Sequence, residues 1–299
     1  MEFKKDPHVD HGIHCTPIRD HGPRHAARDN AILSTSGVAP GSLQANLIVL
    51  PSRYASDFRL LCKRNPVPGP LLAESADVGS FDKLNSWIDG VAGDSVAGGI
   101  DIRKDAPRFM VYKDGQLVKS KCEDVVGEWT GDHVAFLIGC SYSFETALAE
   151  AGLPPRHMVL GRVVPMYRTN IRLCPAGAIT GGTYVVSMRP YKKADIEKVR
   201  DVTRPYVTTH GEPVAWGWDA VKALGIDNVN KVDWGEPPVT ENGDPLGHGD
   251  ENNVPVFFGC GVTPQEAVMS ANLSGTIMGH APGHMIVLDV KDEDVIQKS

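Results

Sequence analysis

Two stretches of this chain repeat one pattern, and a fold must accommodate both. VAFLIGCSYSFETALAEAG (Val134 to Gly152) and VPVFFGCGVTPQEAVMSAN (Val254 to Asn272) align without a gap at an offset of 120. They share Val134/Val254, Gly139/Gly259, Cys140/Cys260, Ala147/Ala267 and Ala151/Ala271, with Ser143/Thr263 and Glu145/Gln265 as near matches. Ala135 to Ile138 and Pro255 to Phe258 are short continuous apolar runs, the pattern of strands covered on both faces. Each run ends in Gly-Cys. Ser143 and Thr263 then read as N-caps, and Pro264 with Glu266 completes a capping box in the second copy. Gly152 and Asn272 are residue types that accept a left-handed C-cap. Each copy is therefore expected to be a strand, a Gly-Cys turn and a capped helix.

The remaining chain supplies further elements. SLQANLIVLP reads as a buried strand, and YASDFRLLCKRN as a helix that must stop before Pro66, Pro68 and Pro70. Asp114-Gly115 between alternating runs marks a hairpin, because a tight hairpin turn needs positive φ. TYVVSMRP reads as a strand and ADIEKVRDV as a short helix. The resulting expectation is an α/β fold: a three-layer α/β main domain over 29–160 and 226–299, carrying the duplicated unit, with a smaller α+β subdomain inserted over 161–225. Residues 1–28 read as a flexible His-rich arm. They hold five of the eleven histidines, including His8, His11 and His14 beside Asp10 and Cys15, without apolar periodicity. No metal site is assigned there.

Composition excludes several classes. The 299 residues carry a net charge of -7 and no long basic run, so nucleic acid and anionic membranes are not expected partners. Six scattered cysteines without a CxxC pair suit reduced thiols and a cytoplasmic location. There is no GxxxxGK[ST], GxGxxG or GxSxG, which argues against nucleotide hydrolysis, dinucleotide redox chemistry and α/β-hydrolase activity. No cofactor is expected, and formation of a homo-oligomer is left open.

A small-molecule carboxylate is the expected ligand, because unpaired amides at a helix start favour an anion. Cys140 and Cys260 would face one substrate, with pKa values lowered by the turns, or else be small buried residues. His280 and His284 bracket Pro282-Gly283 and could turn into one cleft for proton transfer. Together with Glu145 they form the expected catalytic set. Arg168 and Arg189 lie in apolar surroundings and need a partner, either the substrate carboxylate or an internal acid. Ser141, Ser143, Thr263, Asn170 and His210 complete the expected binding set. The differences between the copies, Ser141 against Gly261 and Glu145 against Gln265, suggest that the first does the polar work while the second mainly binds.

Taken in order, GVAPGSLQANLIVLP, DFRLLCKRNPVPGPLL, DIRKDAPRFMVYKDG, AFLIGCSYSFETAL, PPRHM, VPMYRTN, VVSMRP, HGEPV, PVFFGCGVTPQ and GHAPGHMIVLD resemble the YcsI-like hydro-lyase family. Sequence of that family also forms the N-terminal portion of mitochondrial D-glutamate cyclase. The resemblance covers about Gly37 to Asp289. It implies a carbon-oxygen lyase that removes water, with D-glutamate or 5-oxo-D-proline as the substrate it suggests. A two-cysteine amino-acid racemase and a non-catalytic binder of small carboxylates are the alternative readings.

Overall fold

The computed structural model describes residues 22–296, so the His8, His11 and His14 cluster lies outside the described residues. Twelve strands form two sheets, and every strand pairing between them is antiparallel. The first sheet takes β1 (Ser42–Pro51), β2 (Leu71–Ser75), β3 (Leu84–Ser86), β4 (Phe109–Lys113), β5 (Gln116–Cys122) and β6 (His133–Gly139). The second takes β7 (Met166–Arg172), β8 (Thr183–Tyr191), β9 (Ala215–Trp216) and β10 (Val254–Gly259). The chain then returns to the first sheet with β11 (Thr276–His280) and β12 (Ile286–Lys291). The orders are β3-β2-β6-β1-β11-β4-β5, with β12 alongside β1, and β7-β8-β10-β9.

Eight helices are described: α1 (Gly22–Arg28), α2 (Ala55–Arg64), α3 (Gly93–Val96), α4 (Glu145–Glu150), α5 (Arg156–Val159), α6 (Ile196–Thr203), α7 (Trp218–Ala223) and α8 (Val262–Ser270). The expected strand at 42–51, the helix before Pro66 and the Asp114-Gly115 hairpin are all present, with φ of 49° and 77° at the two turn residues. Residues 22–28, read from the sequence as part of the arm, lie within the described structure. Gly22–Arg28 is helical because Arg24 pairs with Asp289 at 2.8 Å and Arg28 with Asp105 at 2.6 Å, which docks α1 on the first sheet's side of the molecule.

The expected domain boundaries also change. The two copies of the repeat lie in different sheets: β6 pairs with β1, and β10 pairs with β8. The registers correspond, with Ala45 opposite Gly139 in one sheet and Val186 opposite Gly259 in the other. Residues 254–259 therefore belong with the 166–216 strands, and the return to the main sheet begins only at Thr276.

Each copy sends its helix across. After β6, Phe144 and Leu148 bury against Tyr191, Val254, Val256 and Phe258 of the second sheet. After β10, Ala267 and Val268 bury against Ile48, Leu50, Phe136 and Ile277 of the first. Burying the larger of these side chains, such as Phe144, Leu148 and Val268, contributes on the order of 2 kcal/mol each. Two helices exchanged in this way join the sheets more firmly than a linker would. The approach is close at the turns, which explains the glycines. A Cβ at Gly139 would lie 2.0 Å from Thr208 O, and one at Gly261 would lie 1.9 Å from Asn46 Nδ2. The second clash is also the reason that Ser141 has no hydroxyl counterpart in the second copy.

Candidate active site

The capping roles expected of Ser143 and Thr263 are not the ones they perform. In the first copy a 3-10 turn (Ser141–Phe144) precedes α4, and in the second Thr263 already lies inside α8, so neither side chain caps its own helix. Ser143 Oγ instead accepts the Gln44 N–H at 3.0 Å, and Thr263 Oγ1 accepts the Val185 N–H at 2.9 Å. The cause is the same in both sheets. β6 and β10 stop at Gly139 and Gly259, which would orphan the next amide on the neighbouring strand, and buried amides require a partner.

Cys140 and Cys260 do come together, in one apolar cluster with Val164, Met166, Val185 and Met285. Their acidity runs opposite to expectation. Burial pushes the Cys140 thiol up to about 12 and the Cys260 thiol to about 11, because an apolar cluster gives a thiolate little solvation.

Beside them, Arg189 is fully buried and fully engaged. It donates from Nε to Glu145 Oε1 at 2.9 Å and from Nη2 to the same oxygen, with further bonds to Ser141 Oγ at 3.0 Å and Ser187 Oγ at 3.1 Å. Its guanidinium lies 5.1 Å from both the Phe144 and Phe258 ring centroids. His157 Nε2 sits 3.0 Å from Glu145 Oε1, without hydrogen-bond alignment, and stacks on Tyr142. Burial alone would raise the Glu145 carboxyl, but His157 and Arg189 outweigh it and hold the group below its usual range. Arg189 thus has an internal acid as its partner, and Glu145 is consumed by an ionic cluster in the core.

The second copy is arranged differently at the corresponding place. Gln265 Nε2 donates to Leu47 O at 3.1 Å and approaches His280 O at 3.3 Å, and these two carbonyls fix which way the amide faces. The same nitrogen is 2.9 Å from His280 Nδ1, which also accepts the Leu47 N–H at 3.0 Å. The Leu47 N–H at 3.0 Å outcompetes the longer 3.3 Å approach of Nδ1 to Leu47 O, which assigns Nδ1 as acceptor and the proton of the neutral ring to Nε2. Burial lowers His280 to about 4, so the ring is neutral at physiological pH. Its Nε2 has no hydrogen-bond partner among the described residues, and none reaches Gln265 Oε1.

These residues line a cavity of about 150 Å³ together with Glu266, Tyr112, Trp234, Met110, Met269 and Pro282. That is space for on the order of five waters at about 30 Å³ each. Next to it stands Arg168, which bonds Glu266 at 2.9 Å and Asp233 at 2.7 Å and lies 4.3 Å over the Trp234 ring. Glu266, Tyr112 and Trp234 therefore line the cavity, while Arg168 is not itself a lining residue and reaches it only through Glu266 and Trp234.

Other expected site residues sit elsewhere. His284 turns away, donating from Nδ1 to Pro282 O at 2.7 Å, so the two histidines of that turn do not share a cleft. Asn170 holds the Ala223 carbonyl at 3.1 Å on an exposed flank of β7. His210 packs between the two Gly-Cys turns, near Gly259, at a strained φ of 88°. It donates from Nδ1 to Val67 O at 2.8 Å, and burial lowers it to about 4. Sequence reasoning passed over His157, Tyr112 and Trp234, which no local pattern distinguishes. It noted Gln265 and Glu266 only as a repeat match and a capping-box residue. Among the described residues no cluster of His, Cys, Asp and Glu is suited to holding a metal ion, and no helix is long and apolar enough to cross a membrane.

A family model described as D-glutamate cyclase matches residues 134–289, just over half of the chain. The chain belongs to the D-glutamate cyclase family. Curated relatives agree along most of its length. A protein of Schizosaccharomyces pombe named "Putative hydro-lyase C5H10.01" is 42% identical over 86% of this chain and 79% of its own. Two more named "Putative hydro-lyase", from Bradyrhizobium diazoefficiens and Stutzerimonas stutzeri, are also 42% identical, over 92% and 87% of this chain and 93% and 89% of theirs. A solved nitrogen repressor-like protein from Methanococcus jannaschii covers 91% of the chain at 10% identity and a TM-score of 0.37, too low to bear on fold or function. The cyclase match spans both copies of the repeat, and with them Glu145, Arg189, Gln265 and His280, whereas Tyr112 lies before it.

Proposed function

We propose that this chain is a lyase that removes water from a small amino carboxylate held in the cavity beside His280, with the cyclisation of D-glutamate to 5-oxo-D-proline as the reaction to test first. One observation carries the reading: the cavity brings two acceptors, Glu266 and Gln265 Oε1, next to the Arg168 guanidinium. Acceptors suit an ammonium and a guanidinium suits a carboxylate, so the pairing fits an amino acid better than a plain acid.

In that reaction the substrate nitrogen attacks its distal carboxyl carbon, a C–N bond forms, a C–O bond breaks, and two protons pass from nitrogen to the departing oxygen. Glu266 is the group to receive a proton from the ammonium. The neutral His280 is the candidate donor for the oxygen that gains charge, a role that requires its buried Nε2–H to reach the cavity. Gln265 acts through His280 by holding its tautomer, and Arg168 anchors the remaining carboxylate. Burial and the nearby Glu266 raise Tyr112 above its usual pKa, which keeps the phenol protonated as a cavity wall.

The test incubates the full chain with D-glutamate, L-glutamate and 5-oxo-D-proline and follows the mass change of one water by chiral chromatography and mass spectrometry. Turnover of the D-isomer, falling by about 10²- to 10⁴-fold in His280→Ala with the fold intact by circular dichroism, is the expected result. A shift in melting temperature with no product would leave a non-catalytic binder instead. The two-cysteine racemase has less support, because thiols with raised pKa values in an apolar cluster are poor bases for a Cα proton.

A further inference from the structure

A second concavity lies on the far side of α2. It is a groove of about 520 Å³ lined by Arg59, Leu60, Lys63, Pro66, Leu71 and Trp87, within the size range of small-molecule sites. It shares no lining residue with the cavity beside His280. Trp87 is its most unusual member. The backbone is pinned, since Trp87 N–H donates to Leu72 O at 2.8 Å alongside β2, yet the side chain is 52% exposed. The other tryptophan exposed beyond a third, Trp216, is covered by Arg200 at 4.4 Å. Trp87 has no ring, cation or hydrogen-bond partner of this kind among the described residues. It is a half-exposed indole on a pinned backbone, beside Leu60, which is 44% exposed.

Charge decides what could cover it. The chain is acidic overall, with a net charge of -7, but this rim is basic. Lys63 has no ion-pair partner among the described residues, and Arg64 bonds only the Pro175 carbonyl. Arg59 is shared with Glu74 at 2.7 Å, so Lys63 is the uncompensated cation. A flat apolar floor with one free ammonium at its edge is complementary to a flat apolar body carrying one negative charge.

We propose that this groove is a binding site for an aromatic monocarboxylate, stacked on Trp87 with its carboxylate toward Lys63. The site is separate from the proposed catalytic cavity and stands or falls independently of the reaction there. Calorimetric titration of the full chain with 2-naphthoate and its neutral isostere 2-naphthamide tests it. The acid should bind with one-to-one stoichiometry, and the amide and the Lys63→Gln variant should each weaken binding by roughly fivefold to tenfold. Trp87→Ala should weaken it about tenfold or more, with retention of the fold checked by circular dichroism because the residue is about half covered. Equal binding of acid and amide, binding unchanged by Trp87→Ala, or displacement of naphthoate by 5-oxo-D-proline would each overturn the proposal. The last outcome would place the ligand in the other cavity, and the Lys63→Gln result remains decisive should Trp87→Ala fail to fold.

Discussion

The two copies of the strand, turn and helix unit begin alike and end in opposite uses of one position. In the first, Glu145 is an acid locked between Arg189 and His157 in the core. In the second, Gln265 is a neutral amide that orients His280 at the wall of a cavity. The sequence suggested that the ionisable copy would do the polar work; in the structure Glu145 sits in a buried ionic cluster and Gln265 lines the cavity. A carboxylate deep in a protein is tolerable only with its charge answered nearby, and the groups that answer it also fill the space a ligand would need. A neutral amide makes no such demand and leaves room. The comparison teaches that, of two duplicated positions, the more strongly charged one is not for that reason the more available for chemistry.

The sharpest way to break that comparison is to remove both side chains in turn. Glu145→Ala strands the buried Arg189 and should cost about 3–5 kcal/mol in urea unfolding, against about 1 kcal/mol for Gln265→Ala. Equal costs would mean that the first copy's charges are not the structural cluster described. Acid dependence should also separate the copies. His280 and His210, lowered to about 4 from 6.5, are neutral in the fold and take up protons first in the unfolded chain. Their contribution is therefore complete above about pH 6.5 and is lost as pH falls through about 4, at about 1 kcal/mol per pH unit for each ring.

His280→Asn should flatten the slope in that window. Glu145→Gln should leave the slope between about pH 6.5 and 5.5 alone and change only the limb below about pH 5, because the Glu145 carboxyl lies below its usual range and its stabilising charge is lost there. A Glu145 variant that altered the slope between about pH 6.5 and 5.5 would count against this assignment. The smallest effect is expected at the shared centre. Cys140→Ala and Cys260→Ala should each cost about 1 kcal/mol of stability while leaving turnover unchanged. Loss of activity with retained fold would bring the two-thiol mechanism back.

Much of the local structure was legible. The apolar runs of β1, β6, β8 and β10, the helix ended by Pro66 and the hairpin at Asp114-Gly115 all follow from periodicity and turn chemistry within a dozen residues. The motifs also pointed to the family that the comparisons show. Among the site residues, Cys140 and Cys260 were expected to face one substrate and in the structure lie in one apolar cluster, but the direction of their acidity was not accessible. A turn beside a helix start favours a thiolate, and only the surrounding Val164, Met166, Val185 and Met285 reverse the balance.

By itself, then, the sequence determined the elements, the duplication and the kinship. Only the tertiary structure decided that β6 and β10 enter different sheets, that their helices cross over, and that Ser143 and Thr263 serve neighbouring strands. It also decided that Arg189 finds Glu145 from 44 residues away while Gln265 finds Leu47 from 218. The physical reason is that side-chain periodicity reports which face of an element is buried. It carries no record of which distant strand supplies the other half of each hydrogen bond, and at Glu145 and Gln265 that partner separates a filled core from an open site.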